Sequence, residues 1–207
     1  LQAFGSLGEG EGGLSTRALP RSMRTAARPR GSVMVHTEQL IWRGVHALDA
    51  AQVAADPAPG GLVLFGRNLD PDPLAGPPRC RALVDDLQRR WSPEAPLAVA
   101  IDQEGGPVSR LKPWVGETPS FHQIWRAGGA VGAETWGRLW GEGLGLLGIT
   151  VNFAPLVDLH DGIPGTGLGE RRASADPSEA ADAAEAFLRG LESTGVKGCL
   201  KHFPGLG

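Results

Sequence analysis

The tightest constraint on the fold of this chain is an alternation, in which short apolar runs recur with helix-length stretches between them. The clearest runs occupy residues 61–65, 97–101, 149–153 and 196–200, and their first positions lie 36, 52 and 47 residues apart. A strand, crossover helix and parallel strand together need about 30 residues, so every interval has room for one helix. Repetition of that unit predicts an α/β fold built on a parallel sheet. Residues 32–36 read as an additional first strand, which brings the number to about five.

The intervals carry the expected helical periodicity. Residues 79–90 place Leu83, Val84 and Leu87 on one face, and residues 131–147 do the same with Val131, Leu139, Leu144 and Leu147. The third helix has the clearest start: Asp176 as N-cap, Pro177 at the first helical position and Glu179 completing a capping box. Ala180, Ala184, Phe187 and Leu191 form its inward stripe, and Gly195 stops it.

Residues 1–32 are rich in Gly, Ser, Arg and Pro, lack an apolar period and begin with Leu1, so they read as disordered or as sequence outside the domain. The domain is then 33–207. A formal charge of -3 gives no electrostatic reason for a nucleic acid or an anionic membrane as partner. No run approaches the ~20 apolar residues of a membrane span, and the first three dozen residues lack a signal-peptide core. A cytoplasmic protein acting on small molecules is the expectation. Cys80 and Cys199 have neither CxxC nor metal-ligand spacing, so no metal is expected and both read as reduced, with Cys199 buried in a strand.

Three runs end in an abrupt change of polarity: Asp102-Gln103-Glu104-Gly105-Gly106, Ala154-Pro155-Leu156-Val157-Asp158, and Lys201-His202-Phe203-Pro204. In a parallel barrel such strand ends share one face, so these residues would converge on one pocket. Asp102 and Glu104 suit a polyhydroxy ligand as hydrogen-bond acceptors, or alternatively cap a turn or pair with Arg110. Arg110 and Arg171 offer fixed arrays of donors. Lys201 and His202 end an apolar strand, where a cation needs solvent, an anion or a ligand. Phe203-Pro204 is a bond able to turn cis, and Gly205 and Gly207 permit positive φ.

Taken in order, the segment from Ile101 to Arg110, Asn152-Phe153-Ala154-Pro155-Leu156-Val157-Asp158, Gly169-Glu170-Arg171 and Lys201-His202-Phe203-Pro204-Gly205 resemble the N-terminal domain of family 3 glycoside hydrolases. The branch they resemble most is the bacterial single-domain β-N-acetylhexosaminidases. The resemblance runs from about Ser32 to Gly207. It implies a TIM (β/α)8 barrel, here incomplete, with about the first five strands. It also implies a retaining glycoside hydrolase that removes terminal β-linked N-acetylhexosamine, as in peptidoglycan recycling, without cofactor. Asp102, Arg110, Arg171, Lys201 and His202 would surround a small saccharide, with Asp102 accepting from hydroxyls and the others donating. Three positions depart from the family pattern: Pro107 replaces an arginine, Arg172 a small residue and Leu206 a histidine.

Retaining hydrolysis needs a nucleophile and an acid/base group, usually carboxyls ~5 to 5.5 Å apart. The resemblance puts an acid/base histidine just beyond the Lys201–Gly205 motif and a nucleophilic aspartate on a later strand, so neither falls within these 207 residues. Asp158 and His160 are spaced like an Asp-x-His dyad, but the resemblance assigns them to the barrel rim. The chain alone is therefore expected to be inactive, and open strand edges are expected to favour aggregation. The alternative is a catalytically inactive sugar-binding barrel fragment. A phosphate-binding barrel would use the glycine-rich 141–148 segment, whose leucines read instead as a packed helix end.

Overall fold

A computed structural model describes residues 40–44, 59–91, 97–159 and 168–205, all within the compact unit Val35–Gly207. Its framework is a five-stranded parallel sheet in the order β1 (Trp42–Gly44), β2 (Gly61–Leu64), β3 (Ala98–Ile101), β6 (Val151–Asn152), β7 (Lys197–Gly198). Spatial order follows chain order, as expected where each strand is followed by a crossover onto the next position. A small antiparallel hairpin, β4 (Gln103–Gly105) with β5 (Val108–Ser109), follows β3 directly. The helices are α1 (Gly76–Trp91), α2 (Lys112–Val115), α3 (Phe121–Leu146) and α4 (Pro177–Glu192).

The expected strand at 32–36 lies outside the described residues, and β1 starts at Trp42. The other four runs all become strands, although the last two pair over only two residues each. Leu62, Leu64, Val99 and Ile101 are buried, and they meet Leu83, Val84 and Leu87 of α1 together with Ile124, Trp140 and Leu144 of α3 in one core. Among the described residues, no helix is long and apolar enough to cross a membrane.

Helix α3 is broken at Gly129 (φ 51°, ψ -142°), so its second segment begins where the periodicity suggests, and a first segment from Phe121 precedes it. Ser120 accepts from the Gln123 amide (3.2 Å) and Gln123 Oε1 accepts from the Ser120 amide (2.9 Å), a capping box written in the sequence as Ser-x-x-Gln. Its inward face also differs from the expected one. Val131 and Leu139 are exposed, whereas Ala133, Gly137, Trp140, Gly141 and Leu144 are buried. Small residues form that face because α4 packs so closely: a Cβ on Gly137 would overlap the Phe187 carbonyl oxygen, and one on Gly190 the Glu134 carbonyl oxygen.

At the start of α4, Asp176 accepts from the Ser178 and Glu179 amides at 2.9 Å, as expected. The capping box does not form, because the Glu179 carboxylate takes the Ser174 hydroxyl at 2.6 Å instead. Ala180, Ala184, Phe187 and Leu191 are buried. The glycine-rich 141–148 segment is the packed end of α3, with Leu144 and Leu147 buried and Leu146 exposed.

Cys199 is exposed, not buried. It lies beside β7, the outer strand of the sheet, and nothing among the described residues covers it. Burial of Cys80 in α1 pushes its thiol up to about 11, which removes the reactive thiolate near neutral pH.

Two outcomes follow from this packing. Gly137→Ala should destabilise the chain by about 1–3 kcal/mol through overpacking at the α3–α4 crossing, read by urea denaturation, whereas Gly143→Ala, where a Cβ meets open space, should not. Alkylation of the native chain at neutral pH should modify Cys199 and spare Cys80, checked by peptide mass mapping.

Candidate functional site

The parallel register brings the polar strand ends to one edge. Ile101 pairs with Asn152 and Asn152 with Gly198, so Asp102, the segment after Asn152 and the segment after Gly198 all leave the sheet at the same side. A reciprocal amide pair locks the first two together. Asn152 Nδ2 donates to the Gln103 carbonyl (2.8 Å), and the Gln103 amide donates to Asn152 Oδ1 (3.0 Å). Gln103 is fully buried; its side chain also donates to Ser109 Oγ and accepts from the Leu111 amide, both at 3.0 Å. The third segment is tied on by the bridge between Leu156 and Lys201 and by the Val157 amide donating to the Lys201 carbonyl at 2.9 Å.

Gly105 and Gly106 turn the hairpin with φ of 100° and 53°, values open to glycine at little strain. That turn sends the Glu104 side chain inward beside Asp102. Both carboxylates meet Lys201, whose Nζ lies 2.8 Å from Asp102 Oδ1 and 2.5 Å from Glu104 Oε1. Glu104 is held twice, because Arg171 Nε and Nη2 each donate to it at 2.9 Å in a bidentate pair. This pairing raises the Arg171 guanidinium above its ordinary value, with further support from the charges of Asp102 and Asp158. Arg110 stands at the margin, 3.8 Å from Asp102 and with a buried Nε that has no hydrogen-bond partner among the described residues.

The next residue along, His202, uses a separate carboxylate. Its Nδ1 lies 2.6 Å from Asp158 Oδ2, and its backbone amide donates to Asp158 Oδ1 at 3.2 Å. Residues 157–159 and 200–205 enclose a cleft of about 360 Å³ beside this pair. The peptide bonds Ala154–Pro155, Lys201–His202 and Phe203–Pro204 are cis.

The structure therefore gathers all five expected site residues, Asp102, Arg110, Arg171, Lys201 and His202, at one edge of the sheet. Two others carry more of the arrangement than their spacing suggested. Glu104, with a side chain 3% exposed, holds both Lys201 and Arg171. Asp158 pairs with His202, while His160, its sequence-based dyad partner, lies outside the described residues. A polar Asn152 inside an otherwise apolar run was the available signal for the buried amide pair. Of the three departures from the family pattern, Pro107 is exposed at the hairpin turn and Arg172 is partly buried with Nη1 unpartnered; Leu206 lies outside the described residues. Among those residues no cluster of His, Cys, Asp and Glu could hold a metal.

A parallel α/β sheet with acidic and basic side chains gathered at the carboxyl ends of its strands is the layout in which barrel enzymes place their sites. The chain belongs to glycosyl hydrolase family 3, matching its N-terminal domain over residues 33–207. A β-hexosaminidase of Methylococcus capsulatus is 35% identical over 162 residues, which cover 77% of this chain and 46% of that protein. A family 3 glycosyl hydrolase of Mycobacterium smegmatis superposes with a TM-score of 0.70 at 36% identity, over 81% of this chain and 49% of its own. NagZ of Neisseria gonorrhoeae in complex with N-trifluoroacetyl-D-glucosamine gives a TM-score of 0.67 at 30% identity, over 80% of this chain and 50% of its own. The chain thus spans about half the length of these relatives, and its five parallel strands are part of a TIM (β/α)8 barrel.

Removing one partner of a buried ion pair is strongly destabilising, at about 3–5 kcal/mol, whereas a half-exposed pair contributes about 0–1 kcal/mol. Glu104→Gln should therefore lower stability to denaturant by about 3 kcal/mol or more, and Arg110→Gln by under about 1 kcal/mol. Equal losses for the two variants would contradict the central position given to Glu104.

Proposed function

We propose that this chain supplies the sugar-holding part of a cytoplasmic, retaining glycosidase that removes terminal β-linked N-acetylhexosamine. The observation that carries this reading is the meeting of Asp102 with Lys201, which lines a cleft together with His202. Such a wall offers charged acceptors and donors at fixed spacing, which suits the vicinal hydroxyls of a sugar ring. Asp102, 21% exposed at its side chain, gives Oδ1 to Lys201 Nζ and turns Oδ2 toward Arg110. Arg110 brings a guanidinium to the same margin. The match to a protein whose structure contains an N-acylated glucosamine supports the substrate class.

The three carboxylates of the site favour binding over bond cleavage. Asp102 and Glu104 are neutralised by Lys201, Glu104 again by Arg171, and Asp158 faces His202. A nucleophile must leave one oxygen free to attack carbon, and a general acid must hold a proton. Glu104, with both oxygens held by Lys201 and Arg171, is poorly disposed to do either, and Asp102 and Asp158 each spend an oxygen on a neighbour within the site. Bond cleavage in the complete enzyme would then depend on groups other than these.

Isothermal titration calorimetry should show N-acetylglucosamine binding to the chain, weakened about tenfold or more by Asp102→Asn, as expected for loss of a charge-assisted hydrogen bond worth about 1.5–3 kcal/mol. Unchanged affinity in that variant would remove Asp102 from the subsite. The same chain should not turn over a chromogenic N-acetylglucosaminide. Turnover comparable with that of a longer relative would overturn the division between holding and cleaving.

A further inference from the structure

The pairing of His202 with Asp158 has a chemical consequence for the cleft. An imidazole that faces a carboxylate through Nδ1 must carry its proton there, because two lone pairs 2.6 Å apart would repel. The Asp158 side chain is 1% exposed, and its Oδ1 accepts the His202 amide. His202 is 33% exposed at its side chain and lines the cleft. With the Nδ1 edge covered by Asp158, the opposite ring edge is the one the cleft reaches.

We propose that Asp158 is a positioning residue: it holds the His202 ring with Nδ1–H toward its own carboxylate, so that the ring, when it carries a single proton, presents the Nε2 lone pair to the cleft and accepts a hydrogen bond from a sugar hydroxyl. This rests on the sugar-holding function proposed above and changes one role within it, since the family resemblance assigns His202 to donation. The chemistry of the wall explains why an acceptor is useful there. Lys201 and the two arginines can only donate, and Asp102 already gives one oxygen to Lys201. A sugar hydroxyl both donates and accepts. An uncharged acceptor next to Lys201 therefore lets one hydroxyl satisfy both capacities without adding a fourth negative charge to a site already holding three carboxylates.

The test is solid-state ¹⁵N NMR of the histidine-labelled chain at about pH 8.5, above the ordinary imidazole range, a measurement that does not depend on the molecule tumbling freely. The His202 signals are assigned by their disappearance in His202→Ala. In the native chain Nδ1 should be protonated and Nε2 bare. Asp158→Asn, whose amide can donate to Nδ1 while its oxygen keeps the His202 amide, should invert that pattern and weaken N-acetylglucosamine binding about tenfold. A native Nε2–H tautomer, or an Asp158→Asn variant with the native pattern, overturns the proposal. Should that variant fail to fold, the native spectrum decides alone. Failure of the native chain to bind the sugar would sink the sugar reading of the cleft, while the tautomer still decides what Asp158 does.

Discussion

The site depends on one buried carboxylate. Glu104 accepts from Lys201 and, bidentately, from Arg171, and so ties the end of β3 to the chain after β7 and to the loop before α4. Two cations of this kind could not share the edge of an apolar core without a counter-charge between them. Arg171 and Lys201 lie 30 residues apart in the chain, and Glu104, in β4 of the hairpin, reaches both. The Gly105-Gly106 turn is what places it there, so a local backbone feature determines a long-range electrostatic one.

Neutral hydrogen bonds provide the second layer. The Asn152–Gln103 amide pair holds β6 against the hairpin without any charge, and the Leu156–Lys201 bridge carries the third segment. Asp102 and His202 are thereby positioned through backbone pairing and a buried amide pair.

Much of this was legible in the chain. The spacing of apolar runs announces a parallel sheet, the Asp176-Pro177 start of α4 is written in two residues, and the polar strand ends mark the site. What the spacing leaves open is partner choice. Asp158 pairs with His202, 44 residues away, because parallel register brings the ends of β6 and β7 together at a separation that sequence distance hides. Periodicity also misreads α3: a stripe of glycine and alanine faces α4, and the larger Val131 and Leu139 point outward, since backbone contact and not side-chain volume sets that interface. Cys199 was misplaced for a related reason. Composition marks it as a core residue, but exposure depends on what lies beyond the outer strand.

That backbone contact between α3 and α4 has a bearing on the cleft at the strand ends. Helix α3 leads into β6 and α4 into β7, the two strands that deliver Asp158 and the Lys201–His202 pair. Where glycine meets carbonyl, the distance between the helices has no adjustable padding, and substitutions elsewhere on their surfaces leave it alone. The gap spanned by the Asp158–His202 hydrogen bond is thus gauged from outside the sheet, by a spacer that has no side chain to drift.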